Sequence, residues 1–522
     1  MSGIRLVSGV LTVGFWTLLS RIFGFVRDIL IAAWLGTGPV AEAFLVAFAL
    51  PNMFRRFFAE GAFNMAFVPM FSKKLEARDD AIGFAQNALG SLTLVLIVFT
   101  TLATVFMPWL VLAMASGFRG DERFDIAVTL GRIVFVYILF ISLAALFSGV
   151  LNASGRFVAA AAAPVLLNVI LIAALLFAEA GLGGSLVGDA VGARHGTLLS
   201  FGVVVAGIAQ LVLVWWAAAR AGFPLRLTLP RPSPELKRLA IIAAPAALAG
   251  GVVQINLLIG RQVASFFDGA VAWLAYADRL YQLPLGVVGI AIGIVLLPDL
   301  SRRLQTADVT GSRAAFSRAT EMSLALALPS SVALAVIPTT LIAALFERGA
   351  FDASDTAATA LACAVYGLGL PAFVLQKVLQ PLFFAREDTR RPFYYAVIAL
   401  LVNAVIAVGL MSTLGYIAAA LGTTLAGWAM LALLWRGSRN MGEAARLEPT
   451  TAGRILRMAA AAVTMGGVLW LADRIVLQAW IDQSPIAGVA FLCLLGALTY
   501  LAAALLIRAF SLADLKHVAK RG

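Results

Sequence analysis

The chain has little of the chemistry that enzymes use. Its two histidines, His195 and His517, lie outside the apolar runs described below, which argues against a histidine general base or a histidine metal site. Its two cysteines, Cys363 and Cys493, lie within apolar runs, so we expect no disulfide framework. No connection between the runs offers paired carboxylates, a Ser/His/Asp set, a Gly-rich phosphate loop or Cys/His metal spacing. We therefore predict that the protein is not an enzyme and holds no cofactor and no metal.

Charge is scarce as well. Asp, Glu, Lys and Arg make up 13% of the 522 residues, whereas 62% are hydrophobic. A soluble protein of this size is far less apolar, so the composition indicates a polytopic membrane protein. The net charge of +12 does not imply a nucleic-acid partner, because Lys and Arg also accumulate in the cytoplasmic connections of membrane proteins.

Fourteen apolar runs are long enough to cross a bilayer as helices. They are 6–35, 39–71, 84–114, 126–152, 157–180, 196–220, 237–265, 270–300, 317–346, 355–386, 392–412, 414–436, 454–473 and 484–509. The first run has no small-residue cleavage site before Arg21, so we interpret it as a retained helix and not as a signal peptide. The sequence thus predicts an all-α protein with fourteen transmembrane helices.

The number of Lys and Arg residues in the connections alternates between the two sides of the membrane. With the N-terminus placed in the cytoplasm, twenty-six Lys and Arg fall on the cytoplasmic side and five on the opposite side. Because cytoplasmic connections carry the excess of Lys and Arg, we predict that both termini lie in the cytoplasm.

An internal repeat divides the chain. Residues 67–75, FVPMFSKKL, resemble residues 296–304, LLPDLSRRL, at an offset of 229. A weaker match at an offset of 235 pairs Asn168 with Asn403. Six spans separate the copies, and six is even, so the copies point the same way across the membrane.

The repeat predicts two six-helix lobes related by a pseudo-two-fold axis along the membrane normal. We place the N-terminal lobe at 1–222, a cytoplasmic linker rich in Pro and Arg at 223–236, and the C-terminal lobe at 237–440. Residues 441–522 then hold two additional helices and a cytoplasmic tail. These two helices either brace the lobes or form a lipid-facing groove for a hydrocarbon tail, and the sequence favours bracing.

Eight cations remain inside the apolar runs. They are Arg21, Arg27, Arg55, Arg56, Arg132, Arg261, Arg279 and Lys377. A charge at the centre of a membrane helix costs about 2.5–3.5 kcal/mol even on the mildest scale, and such residues face a cavity or a partner. Arginine cannot avoid this cost by losing its proton, and its fork suits phosphate because it binds two oxygens at once.

Residues 20–63 hold most of this buried charge. Acidic residues accompany the arginines there, namely Asp28, Glu42 and Glu60. The alternative is structural: the arginines extend to the membrane edge, and Arg56 and Glu60, spaced i,i+4, pair on one helix face. Too many charges occupy these two spans for all of them to reach the edge, so we favour a cationic cavity for an anionic substrate.

The second copy carries a different charged stretch, Tyr276-Ala277-Asp278-Arg279, in the eighth span. Consecutive residues of a helix point about 100° apart, so we expect Asp278 and Arg279 to serve different partners. The alternative is one structural salt bridge to another helix. Lys377 is a further cavity candidate, six residues beyond Pro371.

Taken together, these stretches resemble the MurJ (MviN) family, the lipid II flippases of the multidrug/oligosaccharidyl-lipid/polysaccharide exporter superfamily. The likeness extends over essentially the whole chain, and fourteen spans is the number of that family. The matching stretches are Ser20-Arg21 to Asp28, Leu50-Pro51-Asn52 to Phe63, Tyr276 to Arg279, and Gln376-Lys377 to Pro392.

The resemblance implies that the protein moves lipid II, the undecaprenyl-pyrophosphate-linked disaccharide-pentapeptide, across the bacterial inner membrane for peptidoglycan synthesis. It implies substrate-binding roles for Arg21, Arg27, Asp28, Arg55 and Arg279, and gating or charge-pairing roles for Glu42, Arg56, Glu60, Asp278 and Lys377. Glu42 stands where relatives often have Asp. Relatives hold the lipid tail in a groove of the two additional helices. Some bind sodium through an acidic residue of the seventh span, but residues 239–265 contain no Asp or Glu here.

The resulting hypothesis is alternating access by a monomer, with lipid II and membrane lipids as its partners. The two lobes rock about a cavity whose arginines hold the pyrophosphate, and the acidic residues pair with them when substrate is absent. The rivals are a drug, cation or other polyprenyl-linked oligosaccharide exporter of the same superfamily, a polyprenyl-linked glycosyltransferase, and a non-transporting scaffold. A cation exporter needs a cavity of acids or aromatics, a glycosyltransferase needs carboxylates in large loops, and a scaffold leaves the buried charge unexplained.

Overall fold

The protein is described here from a computed structural model, which describes residues 3–55, 62–291, 302–303, 306, 308–480 and 484–509. Within these ranges the regular secondary structure is helical, apart from one isolated β-bridge between Arg348 and Phe351. The α-helices are α1 Gly3–Leu35, α2 Pro39–Arg55, α3 Ala62–Glu76, α4 Ala81–Val105, α5 Met107–Met114, α6 Glu122–Val134, α7 Tyr137–Ala153, α8 Val158–Glu179, α9 Ala193–Arg220, α10 Pro234–Ala264, α11 Ala270–Ala291, α12 Val309–Val336, α13 Pro338–Phe346, α14 Ala353–Phe384, α15 Arg390–Gly409, α16 Met411–Leu414, α17 Ile417–Ser438, α18 Pro449–Trp480 and α19 Pro485–Leu506.

The prediction of an all-α membrane protein is confirmed. Ten helices in the described ranges are long and apolar enough to cross a membrane, and each coincides with a predicted span. The other four predicted spans, 6–35, 39–71, 237–265 and 270–300, are helical where they are described but do not meet that measure. The number fourteen therefore stays a prediction.

Several predicted spans are two helices in series. Phe106 separates α4 from α5, and Ile337 separates α12 from α13. In both cases a proline follows at the start of the second helix, where its missing N–H removes no helical hydrogen bond. A run of apolar residues therefore predicts the crossing but not the break inside it.

The chain divides into two compact units. The first is Met1–Ala272 with Arg348–Phe351, and the second is Trp273–Glu347 with Asp352–Gly522. The predicted linker at 223–236 lies inside the first unit, because α10, which follows it, packs mainly against α3. The division of the chain into two six-helix functional lobes stays a prediction.

Aromatic side chains form the centre of one core in the first unit. Phe67 stacks on Phe63, Phe71 and Phe84, with ring centroids 5.4–5.6 Å apart. These rings join α3 to α4, and Phe147 of α7 completes the cluster. Burial of such large side chains is the main stabilising term of a packed helical interface.

In the second unit, α18 packs along α12 and α19. Gly466 lies so close to α12 that a Cβ there would be 2.6 Å from Val332 Cγ1. At one end of this contact Arg454 forms a 3.0 Å ion pair with Glu321, and Thr340 at the other end donates to Asp473. These contacts attach α18 to α12 and α13 along its length, as expected for bracing.

Local structure also repeats between the two halves. Asp80 caps α4 by accepting from the Gly83 N–H at 2.7 Å, and Asp308 caps α12 by accepting from the Gly311 N–H at 2.8 Å. Just before these caps, Lys74 pairs with Asp79 at 2.6 Å and Arg303 pairs with Asp308 at 3.1 Å. Of the second copy of the sequence repeat, 296–304, only residues 302 and 303 are described.

Candidate substrate-binding site

The pair Arg27–Asp28 lies in the middle of α1 and is buried in the first unit. The Arg27 and Asp28 residues are each 6% exposed. Arg27 Nε and Nη2 donate to the same oxygen, Asp28 Oδ1, at 3.0 and 2.7 Å. The two residues are consecutive, yet the arginine side chain is long enough to fold back onto its neighbour. Pointing 100° apart on the helix therefore does not prevent consecutive residues from pairing.

Asn168 of α8 holds the other side of the guanidinium. Arg27 Nη1 donates to Asn168 Oδ1 at 2.8 Å, while Asn168 Nδ2 donates to the Ser20 carbonyl at 2.9 Å. Asn168 thus links the Arg27 side chain to the backbone of Ser20, about two turns earlier on α1. Phe48 of α2 lies on the remaining side, with its ring centre 5.9 Å from Arg27 Cζ.

This arrangement carries a high cost if either partner is lost. Removing one member of a buried ion pair leaves an uncompensated charge, which typically destabilises a protein by about 3–5 kcal/mol. Arg27 and Asp28 therefore depend on each other for compensation of their charge. The Nε–Nη2 edge that faces Asp28 is the edge that binds two oxygens of a phosphate.

The other predicted arginines of the first unit lie in more open positions. Arg21, two turns before Asp28, is exposed and makes no hydrogen bond or ion pair within the described residues. Arg55 is half-buried and is the last residue of α2. The predicted residues Arg56 and Glu60 lie outside the described residues.

Glu42 has a partner that the sequence did not indicate. It is 1% exposed, and its Oε2 accepts from Arg123 Nη1 at 2.9 Å. Its Oε1 accepts from the backbone N–H of Val271 at 2.9 Å, in the first turn of α11. Arg123 also pairs with Asp121 and, at 2.8 Å, with Asp268. Glu42 is therefore held by Arg123 in a charge network of its own.

In the second unit, Asp278 and Arg279 differ in exposure, and the expectation that they serve different partners stays a prediction. Asp278 is half-buried and accepts from Gln282, one turn further along α11. Arg279 is exposed, and so is Lys377 on α14. The aromatic ring of Tyr281 packs between Tyr366 and Phe373, 5.4 and 5.7 Å away, beside Asp278. This aromatic cluster fixes the face of α11 on which the acid lies.

Two residues of these networks, Asn168 and Arg123, were not predicted as site residues from the sequence. Asn168 was visible as a single amide within the apolar run 157–180 and as one half of the repeat match with Asn403. Arg123 was counted among the cations of a connection, because Asp121, Glu122 and Asp125 surround it. The helix begins at Glu122, which turns Arg123 inward and leaves it 5% exposed.

Comparison with known proteins gives consistent matches. A family model described as lipid II flippase MurJ matches residues 31–491. A probable lipid II flippase MurJ of Rhizobium tropici is 45% identical over 468 residues, which cover 89% of this chain and 86% of the relative. A lipid II flippase MurJ of Burkholderia cenocepacia is 39% identical over 403 residues, covering 76% and 77%.

Solved structures with the same fold were also found. A lipid II flippase MurJ in an inward closed conformation matches with a TM-score of 0.79 at 23% identity, over 95% of this chain and 99% of that one. An inward-facing multidrug resistance transporter of the MATE family and MOP superfamily matches with a TM-score of 0.65 at 15% identity, over 81% and 95%. At these identities the likeness establishes the fold and leaves the substrate to other evidence.

Proposed function

Because this chain belongs to the MurJ family of lipid II flippases, we propose that it moves lipid II from the inner to the outer leaflet of the bacterial inner membrane. Flippases move a lipid and do not convert it, so the family agrees with the prediction of a protein that is not an enzyme. Its long apolar helices make it a multi-pass protein of that membrane. The transported lipid would then supply peptidoglycan synthesis.

The observation that carries this proposal is the state of Arg27. A permanently charged guanidinium lies buried among helices, and within the described residues its side-chain hydrogen bonds go to Asp28 and Asn168. Each phosphate of a pyrophosphate presents two oxygens to an arginine as a carboxylate does. A pyrophosphate can therefore take the place of Asp28 on the Nε–Nη2 edge of Arg27. Asn168 keeps Arg27 oriented during that exchange, because its bond uses the separate Nη1 donor.

Further cations would complete the headgroup site. Arg21 is exposed and has no partner within the described residues, so it can receive an anion without breaking an existing bond. We assign substrate-binding roles also to Arg55 and Arg279, and charge-pairing roles to Glu42, Arg56, Glu60, Asp278 and Lys377. The lipid tail would lie along the exposed apolar faces of α18 and α19, where Leu456 and Val463 are about 70% exposed.

Transport would proceed by alternating access in a monomer whose termini both lie in the cytoplasm. The two compact units are candidates for the bodies that move. A membrane potential acts on cavity charge with about 2.3 kcal/mol per charge per 100 mV. A cationic cavity is therefore drawn toward the negative cytoplasmic side after the substrate has left.

The competing function is export of a cationic drug or of another polyprenyl-linked oligosaccharide, since a MATE transporter shares the fold. Cationic substrates require acids or aromatic rings in the cavity. Among the predicted site residues that the structure describes, the exposed ones, Arg21, Arg279 and Lys377, are all cations. Binding of cationic dyes without binding of lipid pyrophosphates would favour the exporter.

The proposal is tested by depleting the host flippase and measuring which leaflet holds lipid II. We expect the wild-type chain to restore outer-leaflet lipid II and Arg27→Ala to abolish it, with Arg27→Lys intermediate because the charge remains but the fork is lost. Arg119→Ala is the control, since Arg119 is exposed and has no partner among the described residues. Equal amounts of each variant must be found in the membrane. Normal externalisation by Arg27→Ala would refute the assignment.

A further inference from the structure

The second unit contains a pocket on the outside of α17, away from the residues discussed above. Its volume is about 450 Å³, and its lining residues are Trp428, Leu431, Ala432, Trp435, Arg436 and Arg439. These positions recur every three or four residues, so they form one stripe along the helix. From Trp428 to Arg439 the stripe runs about 16 Å along the axis, at a rise of about 1.5 Å per residue. The pocket is thus apolar and aromatic along α17 and cationic where that helix ends.

Both arginines of this pocket are available to a ligand. Arg436 and Arg439 are exposed, and within the described residues neither makes a hydrogen bond, an ion pair or a ring contact. No acidic residue lines the pocket. Two cations therefore lie at one site, and no acidic side chain of the described residues pairs with them.

The spacing of Trp435 and Arg439 recurs at two other places in the chain, and there the arginine stacks on the tryptophan. A Trp followed four residues later by Arg occurs three times, as Trp216/Arg220 on α9, Trp435/Arg439 on α17 and Trp470/Arg474 on α18. In the first and third cases the guanidinium lies over the indole ring at 4.1 Å. Arg439 does not stack on Trp435. The stacking that satisfies Arg220 and Arg474 is thus absent where the pocket is present.

The two indole N–H groups of the pocket differ in their hydrogen bonding. Trp428 is fixed, because its Nε1 donates to the Leu368 carbonyl of α14 at 3.1 Å. Trp435 is half-buried, and its indole N–H has no acceptor among the described residues. The pocket therefore offers one indole N–H and two guanidinium groups as donors, beside an apolar floor formed by Leu431 and Ala432.

We propose that this pocket binds the phosphate headgroup of an anionic phospholipid, with the acyl chains along the Trp428–Trp435 face of α17. Tryptophan is enriched where acyl chains meet headgroups, and Lys and Arg at the end of a membrane helix attract anionic headgroups. Phosphates lie at this depth in both leaflets, so the proposal does not depend on the orientation of the chain or on lipid II transport. The occupant is a structural or regulatory lipid, distinct from the transported one.

The test uses the full-length protein in nanodiscs of phosphatidylcholine with an increasing fraction of phosphatidylglycerol. A photoactivatable phosphatidylglycerol reports the site by crosslinking to the peptide that contains residues 428–441. We expect saturable crosslinking that unlabelled phosphatidylglycerol displaces and inorganic phosphate does not. The fraction of phosphatidylglycerol needed for half-saturation should rise about fivefold for each of Arg436→Gln and Arg439→Gln, since a basic residue near an anionic surface contributes about that factor.

Arg220→Gln is the matched control, because it removes an arginine with the same spacing to Trp that already stacks on its own indole. It should leave crosslinking at 428–441 unchanged. The thermal midpoint of each variant in detergent verifies the fold, and Arg439→Lys, which keeps the charge, should retain the preference for phosphatidylglycerol. Equal crosslinking by photoactivatable phosphatidylcholine, or an equal loss in Arg220→Gln, would overturn the proposal.

Discussion

In the first half of the chain, α1 carries the buried pair Arg27 and Asp28, whereas α10, the first helix after the predicted linker, carries no acidic residue beyond Glu235 in its first turn. The starts of equivalent helices in the two halves, in contrast, are alike. Asp80 and Asp308 cap equivalent helices through the same Asp-x-x-Gly arrangement. The two halves thus share the features that begin and end helices and differ in the charge placed between them.

A second position shows the same contrast. Glu42 of α2 pairs with Arg123 of α6, and at the corresponding place in the second unit Trp273 Nε1 of α11 donates to Asp355 Oδ1 of α14 at 2.9 Å. Both links join the helix that follows the first of each half to the second helix after the break. Each link uses one carboxylate, which accepts from an arginine in the first half and from a neutral indole N–H in the second. The ion pair is therefore confined to the first of these two links.

The largest expected effect comes from breaking these two links. Arg123→Ala leaves Glu42 buried without its cation and should cost about 3–5 kcal/mol of stability. Trp273→Phe removes the indole N–H from Asp355 and part of the ring that packs against Tyr416, and should cost about 1–3 kcal/mol. The thermal midpoint of the purified protein in a fixed detergent measures both. Arg119→Ala, at an exposed position of the same connection, is the control and should leave the midpoint unchanged.

If Arg123→Ala lowered the midpoint no more than Trp273→Phe, the two links would be energetically alike and the charge of the first half would not be structural. The double variant Glu42→Gln/Arg123→Leu tests this further. It removes both charges together, so it should recover part of the loss.

The next largest expected effect is the loss of stability on replacing Asn168 or Asn403. Both amides are buried within equivalent apolar runs, at 6% and 0% exposure. Asn168→Leu removes the acceptor of Arg27 and the donor to Ser20, and Asn403→Leu removes a buried amide that lies against Gly422. Each should cost about 1–3 kcal/mol.

Only Asn168→Leu should reduce the outer-leaflet fraction of lipid II beyond what its loss of stability explains, because only this variant frees Arg27 to change its orientation. Transport is therefore compared between the two variants at equal amounts of folded protein in the membrane. Equal transport by both would mean that Asn168 has no role beyond packing.

These networks also define what the sequence could predict. Hydrophobic run length placed a helix at every predicted span, because the cost of unpaired backbone in lipid leaves few alternatives. It could not find the break at Phe106 or the burial of Arg123, since both depend on where a helix starts. Asp28 was expected to pair with an arginine, but the helical angle between Cβ atoms did not identify its neighbour Arg27 as the partner, because that angle ignores the length of the arginine side chain.

A smaller effect tests whether the shared helix ends are energetically equal. Asp80→Ala and Asp308→Ala each remove a side chain that accepts from the N–H three residues later. Loss of such a cap typically costs about 1 kcal/mol, and the two variants should lower the thermal midpoint by similar amounts, with Asp308→Ala slightly the larger because it also removes the exposed ion pair with Arg303. Asp80→Asn and Asp308→Asn keep an acceptor and should retain most of the stability. Losses in the two alanine variants that differ by more than this exposed ion pair contributes would show that the repeat preserves the geometry of the caps but not their energy.

The smallest effect distinguishes the two ion pairs beside these caps by pH. Lys74 lowers the pKa of Asp79 below its usual 3.8, and the Gly311 N–H and Arg303 do the same for Asp308. Both contributions are therefore complete above pH 3.8 and are lost as the pH falls through the lowered values. At the alkaline end the pairs differ. Asp79 raises the pKa of Lys74 above 10.5, so its contribution is present below that value and is lost as the pH rises through the raised one.

Arg303 keeps its charge over the whole range, so only the pair of the first half should weaken in alkali. We expect Lys74→Arg to remove a small part of the fall in thermal midpoint between about pH 9 and pH 11, with no change in the acid limb. Lys237→Arg is the control, because it replaces another lysine of the same unit that has no ion pair within the described residues. If both replacements changed the alkaline limb equally, the effect would belong to lysine titration in general and not to the Lys74–Asp79 pair.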